Sequence, residues 1–124
     1  MVGIGRQPPP AGPQRGEIYL VPFGETGGNV LAGPHPAVVV QTPRMAASST
    51  TIVAPLTSRV RSADLAPPYL VRALARETGL DRDGWVKADQ LFTVPVAILG
   101  RPVGHLAPAR LEELDRALRF VLAV

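Results

Sequence analysis

Groups able to move a proton near neutral pH are few in this chain of 124 residues, which has two histidines, His35 and His105, ten Asp plus Glu, and no cysteine. His35 stands between Pro34 and Pro36, just ahead of an apolar run. An imidazole, with an unperturbed pKa near ~6.5, can shuttle a proton there, and can equally serve as a backbone hydrogen-bonding group at a strand entrance. Hydroxyls and cations follow one another at Thr57-Ser58-Arg59 and Arg61. A Thr-Ser pair after a strand commonly closes a turn. Arg59, Arg61, Arg72 and Arg76 form the densest basic stretch, suited to tracking phosphates or to solvation alone. Asp89 and Gln90 sit near the end of a strand-length run, where they either line a groove and read base edges or pair at the strand end. Asp81-Arg-Asp-Gly84 reads as a hairpin turn, and His105 as structural. Trp85 and Phe92 either stack on bases or fill the core. The Gly24 to Gly28 loop is no nucleotide cradle, because it lacks the Gly-Lys-Ser/Thr ending and no helix follows it.

These side chains must be positioned by short strands. Apolar runs at Ile18 to Phe23, Ala37 to Gln41, Thr50 to Leu56, Tyr69 to Leu74, Trp85 to Val94 and Val96 to Leu99 have strand lengths and are rich in Val, Ile and Thr. Gly, Pro, Asn and Asp separate them, as turns require. The pattern predicts a small, mainly antiparallel β domain. Several strands, notably Ala37 to Val40, are apolar on both faces, as expected of a sheet that curls over its own core with a helix covering the far side. Over Ala63 to Leu74 the pattern also tolerates a short helix. A C-terminal helix begins at Pro108, carries Leu111, Leu114, Leu118 and Val121 on one face, and lacks a side-chain cap at Ala107. Glu112–Arg116 and Asp115–Arg119 have the spacing of i,i+4 ion pairs.

Composition narrows the function classes. Leu, Ile, Val and Phe supply 36 residues, enough for one packed domain. Residues 1–15 hold four prolines and three glycines and read as a disordered tail, leaving 16–124 as the domain. Without cysteine there is no disulfide scaffold or thiolate zinc site, and with two histidines a metal cage is not expected. No cofactor is indicated. The apolar runs are too short to span a bilayer and no leader is evident, so a soluble, cytoplasmic protein with no membrane contact is expected. A net charge of +3, from 12 Arg and one Lys against ten acids, favours contact with polyanions.

Five segments in order resemble the MazF/PemK toxin family, the sequence-cleaving endoribonucleases of toxin–antitoxin pairs. Arg15-Gly-Glu-Ile-Tyr-Leu-Val-Pro-Phe23 is similar to its first strand, and Ala32-Gly-Pro-His-Pro-Ala-Val-Val-Val-Gln41 to its Ala-Gly-x-Arg-Pro-Ala-Val-Val segment. Ile52-Val-Ala-Pro-Leu-Thr-Ser58 resembles the strand ending in Pro-x-Thr-Ser. The segment ending Asp89-Gln-Leu-Phe-Thr-Val94 resembles Asp-Gln-(Ile/Leu)-Arg-Thr, and Gly104-His-Leu-Ala-Pro108 the Gly-x-Leu-Ser-Pro ending. The resemblance implies an SH3-like barrel of the MazF/PemK/CcdB type with a C-terminal helix, a homodimer, metal-independent cleavage of single-stranded RNA, and a cognate antitoxin as partner. It implies Thr57 as one catalytic residue and puts His35 where the family has its other, an arginine. Arg15, Asn29, Ser58, Arg59, Arg61 and Gln90 would contact RNA. Val30, Leu31 and Phe92 occupy positions that are usually polar. Two other functions share this barrel: a module that binds antitoxin or nucleic acid after losing the reaction, and a gyrase inhibitor of the CcdB type. The latter depends on a Trp-Gly-Ile terminus, whereas this chain ends Val-Leu-Ala-Val124.

Overall fold

The computed structural model describes residues 12–24, 33–59 and 67–124. In chain order the elements are β1 (Glu17–Pro22), β2 (Pro34–Val39), β3 (Thr50–Thr57), β4 (Leu70–Ala73), α1 (Ala75–Thr78), β5 (Gly84–Lys87), β6 (Phe92–Pro95), β7 (Gly104–His105) and α2 (Pro108–Leu122). They form one antiparallel sheet in the order β4-β5-β3-β2-β1-β7, with β6 pairing the first half of β3. This is the mainly β architecture with a C-terminal helix that the strand pattern predicts.

The two-residue period of a strand explains why β1 to β3 are apolar on both faces. Ile18, Val38, Ala54 and Leu56 point inward, where Val71, Val86, Leu106, Leu114 and Ala117 complete the main core beneath α2. Tyr19, Val21, Ala37, Val39 and Val53 point the other way into a second buried cluster with Val94 and Leu99, against which Phe23 and Phe92 pack. Phe92 is therefore a core residue, 4.8 Å from Phe23 between ring centroids. The Tyr19 hydroxyl donates to Glu17 Oε1 at 2.7 Å, and burial, then this bond and charge, push its pKa well up.

Helix α2 begins at Pro108 with Ala107 as an uncapped N-cap. Its ion pairs are not the expected i,i+4 ones. Asp115 is taken by Arg15 at 2.6 Å, and Arg110 bridges Glu77 and Glu113 at 3.0 Å each, tying α2 to α1. No helix among the described residues is long and apolar enough to cross a membrane.

Four local expectations are corrected. Gln14 and Arg15 are packed rather than trailing: the Gln14 N–H donates to Glu17 Oε1 at 2.7 Å and Arg15 Nε to the Val40 carbonyl at 2.9 Å. Gly16 makes this turn possible, with φ +96° and its N–H on the Val39 carbonyl at 2.8 Å. The rest of the expected tail, up to residue 11, lies outside the described residues. Trp85 to Val94 is not one strand, because a turn at Ala88-Asp89 splits it into β5 and β6. Val96–Ile98 forms a 3₁₀ turn rather than a strand. Finally, Leu80 to Asp83 is not a tight hairpin turn; it belongs to a longer connection that includes α1.

Candidate functional site

The geometry of the site follows from prolines. In β2 the backbone groups of odd residues face β1, as the Phe23 N–H to Gly33 carbonyl bond at 3.1 Å shows, and even ones face β3, as in Val40 N–H to Ile52 carbonyl at 2.9 Å. Pro34 and Pro36 therefore turn their missing N–H groups toward β3. The β2–β3 ladder ends at Ala37↔Pro55, where Pro36 has no donor for Leu56. Beyond that point β3 continues on its other edge with β5, through Leu56↔Val86 and Thr57↔Trp85. The two strands part, and the next residues of each, His35, Pro36, Leu56 and Thr57, line a cavity of about 530 Å³.

Extending the Ala37↔Pro55 register by two residues sets His35 opposite Thr57 on the same face of the sheet. His35 is half-buried, with its ring centroid 6.5 Å from that of Phe23. It is the second residue of β2, at the entrance of the strand as the sequence predicts. The Thr57 Oγ1 accepts the Arg59 backbone N–H at 3.0 Å. A hydroxyl that accepts one bond still carries its own proton, so Thr57 remains a donor toward the cavity. Ser58 and Arg59, both exposed, continue the lining. Gly84 closes the wall beside Thr57, since a Cβ there would stand 2.9 Å from the Thr57 carbonyl oxygen.

The loop Leu80 to Asp83 and the side chains of Leu20 and Val103 complete the lining. Asp83 holds this loop in place, its Oδ1 accepting the Ala75 N–H at 2.7 Å and its Oδ2 lying 3.8 Å from Arg72. Arg72 also lies 4.6 Å from the Trp85 ring centroid. Trp85 and Arg72 thus cover each other, and Arg72 braces the wall from behind. Arg76 is exposed on α1 and does not line the cavity.

Of the residues singled out from sequence, the fold brings together His35, Thr57, Ser58 and Arg59. Arg15 is elsewhere, engaged with Val40 and Asp115. Gln90 is outside the cavity, its Oε1 buried without a partner among the described residues and its backbone N–H on the Lys87 carbonyl in the turn at 3.1 Å. Asp89 is exposed in that turn. Asn29 and Arg61, together with Val30 and Leu31, lie outside the described residues. Asp81 and Arg82 line the cavity, although the sequence marks them only as turn residues. The sole hint was an arginine set between two acids. Among the described residues no three His, Asp or Glu side chains are grouped so as to hold a metal ion.

The chain is similar to known proteins over most of its length. Residues 14–122 match the family of PemK-like, MazF-like toxins of type II toxin–antitoxin systems. The chain is 33% identical over 115 residues to endoribonuclease MazF9 of Mycobacterium tuberculosis, covering 88% of this chain and 95% of that one. It is 29% identical over 112 residues to endoribonuclease EndoA of Bacillus subtilis, covering 90% and 95%. In fold it is similar to a mycobacterial endoribonuclease solved with its cognate antitoxin, at a TM-score of 0.74, 24% identity and coverage of 90% and 96%.

Proposed function

Since the chain belongs to the PemK/MazF-like toxins of type II toxin–antitoxin systems, we propose that it is an endoribonuclease toxin that cuts single-stranded RNA at the cavity between β2 and β3. It acts in the cytoplasm as a homodimer, and a cognate antitoxin restrains it by covering the RNA site. The observation that carries this reading is the convergence of His35, Thr57, Ser58 and Arg59 in one cavity.

The reaction needs no metal. The His35 imidazole takes the proton of a ribose 2′-hydroxyl as the 2′-oxygen bonds to phosphorus. The bond from phosphorus to the 5′-oxygen breaks, and that oxygen takes a proton from a water molecule, which is made good by the proton that His35 gives up as the imidazole returns to its neutral form. The products are a 2′,3′-cyclic phosphate and a 5′-hydroxyl. Charge on the non-bridging oxygens is stabilised by the Thr57 hydroxyl and the Arg59 guanidinium. Ser58 is a further donor. Arg15 and Gln90 act through the fold instead.

The test is incubation of the purified chain with a long RNA in EDTA, followed by analysis of the cut ends. Cyclic phosphates at full rate are expected, with His35→Ala lowering the rate on the order of 10²-fold or more. EDTA-sensitive cutting, or 3′-hydroxyl ends, would overturn the mechanism. A silent parent that gains cleavage on His35→Arg would instead mark a binding module that has lost its arginine.

A further inference from the structure

The cavity lining mixes two kinds of chemistry. Besides the polar groups of His35 and Thr57 it presents an aliphatic wall of Leu20, Leu80 and Val103, with Leu20 across from Pro36 in the β1–β2 register. Leu20 and Val103 are 49% and 45% exposed, which the packing of the chain alone does not require. They are held beside each other because the Val103 N–H donates to the Ile18 carbonyl at 2.7 Å. Aliphatic surface is of no use to a phosphate, but it suits the flat face of a base. Asp81 and Arg82, both exposed, also line the cavity. Their neighbour Asp83 is committed to Ala75 and Arg72, whereas among the described residues neither Asp81 nor Arg82 has a hydrogen-bond or ion-pair partner.

We propose that this apolar wall seats the base of a nucleotide next to the scissile phosphate, with Asp81 reading its Watson–Crick edge and selecting against uracil. The proposal rests on the endoribonuclease reading of the same cavity. A carboxylate only accepts hydrogen bonds, so it favours the exocyclic amine of cytosine, adenine or guanine. Uracil presents one N–H flanked by two carbonyl oxygens, and a carboxylate set against that edge is repelled. In cytosine and adenine the ring nitrogen beside the amine is an acceptor, which suits Arg82, a donor only.

The test maps cut positions on a long RNA for the parent and for Asp81→Asn, an isosteric change at an exposed loop position. The parent is expected to show uracil depleted on the order of 10-fold at one position adjoining the cut, the discrimination a good base contact supplies. In Asp81→Asn that depletion should disappear, because an amide can donate as well as accept. Equal base distributions in the two proteins would overturn the proposal. A second measurement does not depend on cleavage: binding of 2′-O-methyl oligocytidine and oligouridine to both proteins. Preference for oligocytidine in the parent alone supports the subsite even if no RNA is cut, in which case it is the catalytic reading that fails. Binding that ignores the base in both proteins leaves the wall to a peptide occupant and overturns the proposal.

Discussion

Replacing Gly84 with alanine perturbs the wall behind Thr57 without touching a reacting group. The new Cβ would lie 2.9 Å from the Thr57 carbonyl oxygen, whereas ordinary contact begins near 3.4 Å, so the two strands must part by 3.4 − 2.9 = 0.5 Å. The obstructing atom belongs to the backbone and cannot rotate aside. Overpacking of this kind costs about 1–3 kcal/mol. In a chain of this size that lowers Tm by roughly 4–12 °C. Because Gly84 and Thr57 line the same cavity, the displacement also moves the Thr57 hydroxyl relative to His35. A misplacement of about 1 Å can cost on the order of 10²-fold, so half of that predicts a loss of about tenfold in the cleavage rate. The assay is hydrolysis of a fluorogenic RNA well below Tm, with Ile18→Val as control. Ile18 is fully buried in the main core and does not line the cavity, and its truncation costs about 0.5–1.5 kcal/mol. Gly84→Ala cleaving at the parental rate, or Ile18→Val losing as much activity as Gly84→Ala, would refute the positioning argument.

Thr57→Val keeps the shape of the side chain and removes the hydroxyl, so RNA cleavage should fall on the order of 10²-fold while Thr57→Ser retains most of it. Arg15→Met removes both the bond to the Val40 carbonyl and the ion pair with Asp115, and thermal unfolding should register a loss of about 1–3 kcal/mol. RNA binding by that variant should be unchanged, since Arg15 does not line the cavity. The Tyr19 hydroxyl has its pKa raised in the folded chain, first by burial and then by Glu17. The unfolded tyrosine ionises near pH ~10 and the folded one does not, so stability is intact below that pH and falls as pH rises above it. Denaturant unfolding of Tyr19→Phe should lack this contribution to the alkaline loss.

What could be read from the sequence was whatever depends on neighbours along the chain. The alternation in β1 to β3, the Pro108 start of α2 and the turn chemistry after Thr57 are local, and each has its expected form. The split of Trp85 to Val94 was hidden because Ala88, Leu91 and Phe92 keep the run apolar through the turn, and burial at a barrel corner outweighs strand propensity. Val96 to Leu99 reads as strand by composition, yet it turns as 3₁₀ with the Val96 N–H on the Ser49 carbonyl at 2.9 Å. Arg15 and Arg72 look like phosphate ligands until their partners Asp115 and Asp83 arrive from 100 and 11 residues away along the chain. The site turns on a fact of the same kind. That Pro34 and Pro36 are prolines is evident, but whether a missing N–H matters depends on which edge of β2 it faces. Facing β1, it would have broken the pairing that anchors the strand. Facing β3, it ends one ladder two residues early and leaves His35 and Thr57 on either side of an open wedge, the opening through which the proposed reaction would admit a ribose and its phosphate.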